Sequence, residues 1–345
     1  MDSKKKIVIV TDAWHPQKNG VVVHSEKMYE YLTAKGHEVV IIHPQLFPYK
    51  MRVFFYPEIE LSLLVGRKMR ALLKEHSPYY VHIATEGPLG LAARKYCIQN
   101  RIKFTTTYHT HYPMYIEARL SALSKITSVY IRWFHSAASR TMVSTPSLKL
   151  FLENDGFKNL VITPLGVDIG LLKKNDDPKI PKELAGLPHP FFIYFGRVAI
   201  EKNVEAFLKC NLPGTKIVSG GGPQLKELKK KYGKSTIFIH SAGYKRDQSF
   251  IDLLSLADVF VFPSKTETFG LVILEALACE LPVAAYDVMG AKDIIIQGVH
   301  GFTGDDLERA ALMCLKLTHE NLRKRALEFS WENAADAFLK NLIEN

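Results

Sequence analysis

The chain has 345 residues, enough for two domains of ordinary size, each with its own core. Hydrophobic residues make up 47% and charged residues 23%, a globular composition that excludes a disordered or fibrous chain. The formal excess of +10 lies wholly in residues 1–160, which hold 22 Lys and Arg against 12 Asp and Glu, while residues 161–345 hold 23 of each. A basic half of this kind suits an anionic membrane surface or nucleic acid, or is simply a solvated face.

Along the chain, Lys6–Val10 and Glu38–Ile42 are short β-branched runs separated by a helical stretch through 26–34. The opening basic cluster precedes only four apolar residues, 7–10, too few for a signal-peptide core of roughly 7–15. No apolar run approaches the ~20 residues of a membrane span. Cys97, Cys210, Cys279 and Cys314 are scattered without CxxC spacing, so a reduced, cytoplasmic protein is expected. Segments 79–84, 103–107 and 140–144 read as further strands with helices between them. A polar, Pro-rich stretch over 165–190, with Lys173, Lys174, Asp176, Asp177, Pro178, Pro181 and Pro188, suggests a boundary. The pattern then restarts with Phe191–Phe195, 216–219, 236–240, Val259–Phe262 and 283–286. Such alternation predicts an α/β chain of two doubly wound parallel sheets, whose ligands sit beyond the carboxyl ends of the strands.

Several loops could carry chemistry. In TDAWHPQKNGVV (11–22), Asn19-Gly20 signals a turn, and the helix start after it either directs amides at an anion or closes a plain βα loop. TTYHTHYPMY (105–114) puts His109 and His111 two apart. No carboxylate or cysteine accompanies them locally, so a packed or polar-contact histidine is expected rather than a metal ligand. YFGRVAIEKN (194–203) follows a buried strand with Gly196, Arg197 and Lys202, two cations fit for a diphosphate or else solvated surface charges. SGGGPQL (219–225) does not match GxGxxG, which removes the main support for a dinucleotide dehydrogenase. Its glycines serve either close backbone approach to a ligand or a turn against another element.

SKTETFGLVILEALACELPVAA (264–285) holds an oddity. Glu275 stands inside Leu271–Ala278, where the other seven residues are apolar, and a carboxylate in a buried helix needs a partner. Glu267 stands eight residues earlier, just before Phe269-Gly270 where the helix should begin. If Phe269-Gly270 opens the helix, the free amides of its first turn favour an anion, and Glu275 could accept two hydroxyl hydrogen bonds from a vicinal diol. Spacing alone is a weak signal here; the apolar setting strengthens it.

Together and in this order, these segments resemble a retaining glycosyltransferase of family 4 with the GT-B architecture. Within the family they look closest to bacterial GDP-mannose-dependent α-mannosyltransferases, through TDAWHPQKNGVV, ATEGPLGLAARKYC (84–97) and GRVAIEKNVEAFL (196–208). YHTHYPMY (108–115) is similar to lipid-directed members. The resemblance implies two Rossmann-like domains facing a cleft. Residues 1–170 would receive the acceptor, 171–331 would bind the nucleotide sugar, and a terminal helix over 332–345 would cross back to the first. It implies metal-independent transfer of a hexose, best matched by mannose from GDP-mannose, with no cofactor beyond the donor substrate. Arg197 and Lys202 would stabilise the diphosphate, Glu267 would orient the donor sugar, His109 would contact it, Glu275 would hold the ribose and the Gly20 loop would cap the phosphate. Tyr244 would lie near the base, with Phe269, Gly270 and Leu271 lining the phosphate site. The acceptor would be a lipid or glycan. LSLLVGRKMRALLK (61–74) and YIRWFHSAASR (130–140) mix apolar and cationic residues as membrane-surface helices do, so a peripheral enzyme on the inner face of an anionic membrane is expected. Transfer from a UDP-sugar to diacylglycerol, a GT-B nucleotide-sugar epimerase and a catalytically idle binder are the alternatives. Nucleic acid is not an expected partner, for lack of an aromatic-basic recognition motif.

Overall fold

The computed structural model describes residues 5–17, 19–53, 56–109, 121–239 and 246–345, with side chains left out at 53, 56–59 and 121–125. The chain divides into two compact units, Met1–Leu165 with Trp331–Asn345, and Gly166–Ser330. These breaks fall a few residues from the expected 170/171 and 331/332.

The first unit is a six-stranded parallel sheet in the order β2-β1-β5-β6-β7-β8, from Lys6–Val10 (β1), Glu38–Ile42 (β2), Tyr80–Ile83 (β5), Thr105–Thr107 (β6), Arg140–Val143 (β7) and Leu160–Ile162 (β8). Lys50–Val53 (β3) and Tyr56–Ser62 (β4) form a separate antiparallel hairpin that the sequence reading lacked. Alternate residues of β1 face opposite ways, as the period of two requires. Ile7 and Ile9 join one buried cluster and Val8 and Val10 another, so the strand is covered on both faces. The helix Gly20–Ala34 (α1) brings Met28 and Leu32 to the first cluster. The terminal helix Trp331–Asn341 adds Trp331, Ala334, Ala335 and Phe338 to it, a spacing of three and four that makes one apolar stripe.

The two stretches read as membrane-surface helices divide differently. In 61–74, Leu61 and Ser62 end a strand and the helix runs over Gly66–His76 (α2). Its apolar residues Met69 and Leu73 are consumed by the core, which leaves Arg67, Lys68, Arg70 and Lys74 exposed. In 130–140 a helix over Ser121–Ser136 ends before Arg140 opens β7. Phe134 and His135 face inward, whereas Ile126, Val129 and Trp133 are exposed, Ile126 at 67%.

The second unit is also parallel, in the order β11-β10-β9-β12-β13-β14. Its strands are Phe191–Phe195 (β9), Thr215–Ser219 (β10), Thr236–Ile239 (β11), Val259–Phe262 (β12), Val283–Ala285 (β13) and Gly301–Thr303 (β14). The chain winds from β9 outward to β11, then returns to lay β12 on the other side of β9. That reversal makes a crevice at the carboxyl ends of β9 and β12, the usual ligand position in open α/β sheets.

Candidate functional site

The switch point of the second unit collects the residues that the sequence reading had singled out there. β9 ends at Phe195, and Gly196 turns the chain with φ +136°. The turn is strapped to the glycine loop after β10. Gly196 N donates to the Ser219 carbonyl at 3.0 Å, Val198 N to Gly221 O at 2.8 Å, and Gln224 N to Val198 O at 3.1 Å. A Cβ at Gly220 would stand 1.9 Å from Gly196 O, and one at Gly222 2.3 Å from Val198 O. Gly220 and Gly222 therefore serve backbone-on-backbone contact between two loops.

Arg197 is half-buried on this turn, and its carbonyl accepts the Tyr194 hydroxyl at 2.6 Å. The single 3-10 turn Ile200–Lys202 then carries Lys202 to Glu267, Nζ to Oε2 2.6 Å. Their side chains are only 23% and 17% exposed, so the pair is partly shielded from water. Around it, Asn203 Nδ2 donates to Pro263 O, and Ser264 Oγ and Thr266 Oγ1 both donate to Glu201 O. The loop bearing the cations is thereby laced to the loop bearing Glu267.

Beyond Glu267, Thr268 N donates to its Oε1 at 3.3 Å. Phe269 is buried against Phe329, with ring centroids 5.9 Å apart. Gly270 then begins the helix Leu271–Ala278 in a left-handed conformation, φ +94°, with no side chain to cap it. Such an end presents backbone amides to whatever lies above and favours negative charge there. Leu271 is the first helical residue, and Ile273 N closes onto Gly270 O.

Glu275 has a protein partner that the sequence reading missed. Both of its oxygens are held by Arg246, Nε to Oε1 at 2.8 Å and Nη2 to Oε2 at 2.6 Å. A guanidinium 29 residues upstream thus pairs a carboxylate set among apolar neighbours, and the reading of Glu275 as the holder of a ligand diol stays open beside it. Arg246 directly precedes Asp247, whose side chain caps Gln248–Leu256, but no spacing rule ties that position to Glu275. Tyr244 and His111 lie outside the described residues.

In the first unit, Gly20 opens α1 and Asn19 caps it, Oδ1 accepting from Val21 N at 3.0 Å and Val22 N at 3.1 Å. His109 follows β6 with its ring 5.0 Å from that of His24. Burial first, then the neighbouring His24, His82 and His135, hold its imidazole well below the usual histidine range. Burial likewise lowers His24 to about 4 and His82 to about 3. His109 is accordingly a neutral polar group near pH 7, able to make a hydrogen bond but carrying no charge.

The carboxyl ends of β1 and β5 hold a second feature that sequence reasoning missed. The buried Asp12 carboxylate accepts from Leu89 N at 2.9 Å, Gly90 N at 3.2 Å and the Thr85 hydroxyl at 2.9 Å. It thus caps the helix Pro88–Gln99 (α3) from a different strand. A Cβ at Gly87 would stand 2.5 Å from Asp12 Cγ, which explains the glycine in ATEGPLG. Burial lifts Asp12 to about 6 despite these hydrogen bonds. Nearby, the buried His135 bridges Thr106 Oγ1 and Glu86 Oε1 at 2.8 and 3.1 Å.

The chain is similar to known proteins in sequence and in fold. Residues 18–171 match the family model described as Glycosyltransferase Family 4, and residues 176–325 the model described as Glycosyl transferases group 1. Among relatives, a sulfoquinovosyl transferase of Arabidopsis thaliana is 28% identical over 81% of this chain, and the match spans 59% of that enzyme's length. A GDP-mannose-dependent alpha-mannosyltransferase of Corynebacterium glutamicum is 26% identical over 87% of this chain and 76% of its own. An alpha-monoglucosyldiacylglycerol synthase of Acholeplasma laidlawii is 29% identical over 81% and 79%. In three dimensions, sucrose-phosphate synthase of Thermosynechococcus elongatus superposes with a TM-score of 0.77 at 19% identity, covering 97% of this chain and 98% of that one.

Proposed function

Since the chain belongs to the glycosyltransferases of family 4, with two Rossmann-like α/β units of the GT-B fold, we propose that it moves a hexose, best matched by mannose from GDP-mannose, to a hydroxyl of a lipid or glycolipid. The observation that carries the donor reading is the Lys202–Glu267 pair at a switch-point crevice, beside the uncapped start of Leu271–Ala278. Amides, Arg197 and Lys202 there suit the two phosphates of a nucleoside diphosphate. The mannosyl choice is supported by the Corynebacterium relative, and the lipid acceptor by the diacylglycerol-glycosylating one.

In this reading the acceptor oxygen forms a bond to the anomeric carbon on the face from which the diphosphate departs. The carbon–oxygen bond to the diphosphate breaks, and the hydroxyl proton passes to the leaving phosphate oxygen. The products are the glycoside with retained configuration and a nucleoside diphosphate. Neither an enzymic nucleophile nor a metal ion takes part. Arg197 and Lys202 stabilise the charge growing on the diphosphate, and Glu267 orients the sugar. The donor contacts that the resemblance gives His109, Gly20 and Tyr244 are part of the same proposal. A neutral His109 fits a hydrogen bond to a sugar hydroxyl.

Thermal melting against a panel of nucleotide sugars tests the donor. A ligand at a hundred times its dissociation constant stabilises the folded chain by about 2.7 kcal/mol, and GDP-mannose is expected to stand out. If a UDP-sugar wins instead, the mannosyl assignment falls and transfer from UDP replaces it. Arg197→Ala is expected to weaken nucleoside diphosphate binding by about 10–100-fold, the worth of a charge-assisted contact. Release of nucleoside diphosphate only when acceptor is present separates a transferase from an epimerase or an idle binder.

We also propose that the enzyme works on an anionic membrane surface. Among the described residues no helix is long and apolar enough to cross a membrane. The exposed Arg67, Lys68, Arg70 and Lys74 of α2 and the exposed Ile126, Val129 and Trp133 suit surface binding instead. The protein should float with anionic liposomes at low salt and detach at high salt. Protein left wholly in the pellet at low salt would contradict membrane binding.

A further inference from the structure

Glu275 sits on a helix whose residues Ile273, Leu274, Ala276, Leu277 and Ala278 are all buried. Its side chain and that of Arg246 are 14% and 22% exposed, and carboxylate and guanidinium meet through two parallel hydrogen bonds. The fork is itself anchored. The guanidinium carbon lies 4.5 Å from the centre of the Phe250 ring, which is 5% exposed. The next residue, Asp247, ties the backbone down by accepting from Phe250 N at 3.2 Å.

We infer that Arg246 is a positioning residue for the donor's ribose, acting through Glu275. This rests on the nucleotide-sugar reading above. A carboxylate offers about four acceptor positions, two on each oxygen. Arg246 takes one on each oxygen and fixes the plane of the group, so one on each oxygen remains. That is the number a vicinal diol fills with its two hydroxyl donors, and a carboxylate held by two bonds cannot rotate away from it. The clamp also pairs a charge that the helix would otherwise bury alone. A lysine could supply the charge but not the planar fork, so geometry and charge can be separated by substitution.

Titration calorimetry of the full chain with GDP and with 2′,3′-dideoxy-GDP tests this, using UDP and its dideoxy form if UDP binds more tightly. Arg246→Lys and Arg246→Gln are expected to weaken binding of the ribonucleotide by about tenfold. The dideoxy nucleotide, weaker from the outset because it lacks the diol, should bind each variant within about twofold of the wild type, the signature of coupled groups. Glu275→Gln should show the same selectivity, and Arg246→Gln combined with Glu275→Gln should lose little more than either alone. Equal weakening of both nucleotides would overturn the inference in favour of general packing, and so would unchanged ribonucleotide binding in the Arg246 variants. Should Arg246→Gln fail to fold, Arg246→Lys, which keeps the charge, decides. A wild-type chain that binds neither GDP nor UDP overturns the donor reading and this inference with it. Flat Arg246 variants beside a binding wild type overturn the inference alone.

Discussion

Glu267→Ala is expected to lower turnover by about 10²–10³-fold, the range seen when one group that stabilises a transition state is removed. Nucleoside diphosphate binding should be kept or slightly improved. The reason lies in the two bonds that hold this carboxylate. Lys202 Nζ sits 2.6 Å from Oε2 and Thr268 N donates to Oε1, so the group is placed before any donor arrives. In the proposed reaction it faces the sugar, while Lys202 turns to the diphosphate. Truncation removes the sugar's anchor but releases Lys202 from a partner that competes for it. Glu267→Gln keeps the shape without the charge and should fall between the two. Steady-state rates with calorimetric binding of GDP or UDP make the comparison. Equal losses in turnover and in nucleotide binding would show that Glu267 holds the nucleotide and not the sugar.

Gly220→Ala is expected to destabilise the second unit by about 3 kcal/mol or more, because the site has two independent reasons to reject a methyl group. The backbone sits at φ +152°, where side chains are rarely tolerated, and the added Cβ would lie 1.9 Å from Gly196 O. Neither atom can give way cheaply, since the oxygen is main chain and the Cβ is bonded directly to main chain, at the ends of paired strands β9 and β10. The Gly196–Arg197 turn would have to move, so nucleoside diphosphate affinity should fall with stability. Gly304→Ala is the control, since a Cβ there meets nothing within 4 Å. Thermal melting of both variants gives the answer. A Gly220→Ala chain as stable as Gly304→Ala would mean that the two loops are not strapped together.

Residue pattern alone is enough for the α/β class and most of the strand frame. Lys6–Val10, Glu38–Ile42, Phe191–Phe195 and Val259–Phe262 are runs of β-branched and aromatic residues bounded by polar or turn residues, and each occupies the expected span. Burial on both faces makes such runs continuous, which is why they are legible. Residue pattern also singled out Glu267 and Glu275, because a charge beside an apolar helix is conspicuous in a linear reading, and Lys202, because it follows Arg197 in the loop after a buried strand. β8 and β14 are three residues long, too short to carry a period, and the hairpin of β3 and β4 has no tight-turn signal.

What those charges touch is legible only in three dimensions. Lys202 meets Glu267 across 65 residues and Arg246 meets Glu275 across 29, while Asp12 caps a helix that begins 76 residues later. Gly220 and Gly222 pack on another loop, and Met69 and Leu73 on an interior. In each case the residue type allowed several partners. The choice among them depends on where the strand order reverses and which loops that reversal brings together. Hydrogen bonds and ion pairs act over a few ångströms of space, whatever the separation along the chain, so local pattern can propose such groups but cannot pair them.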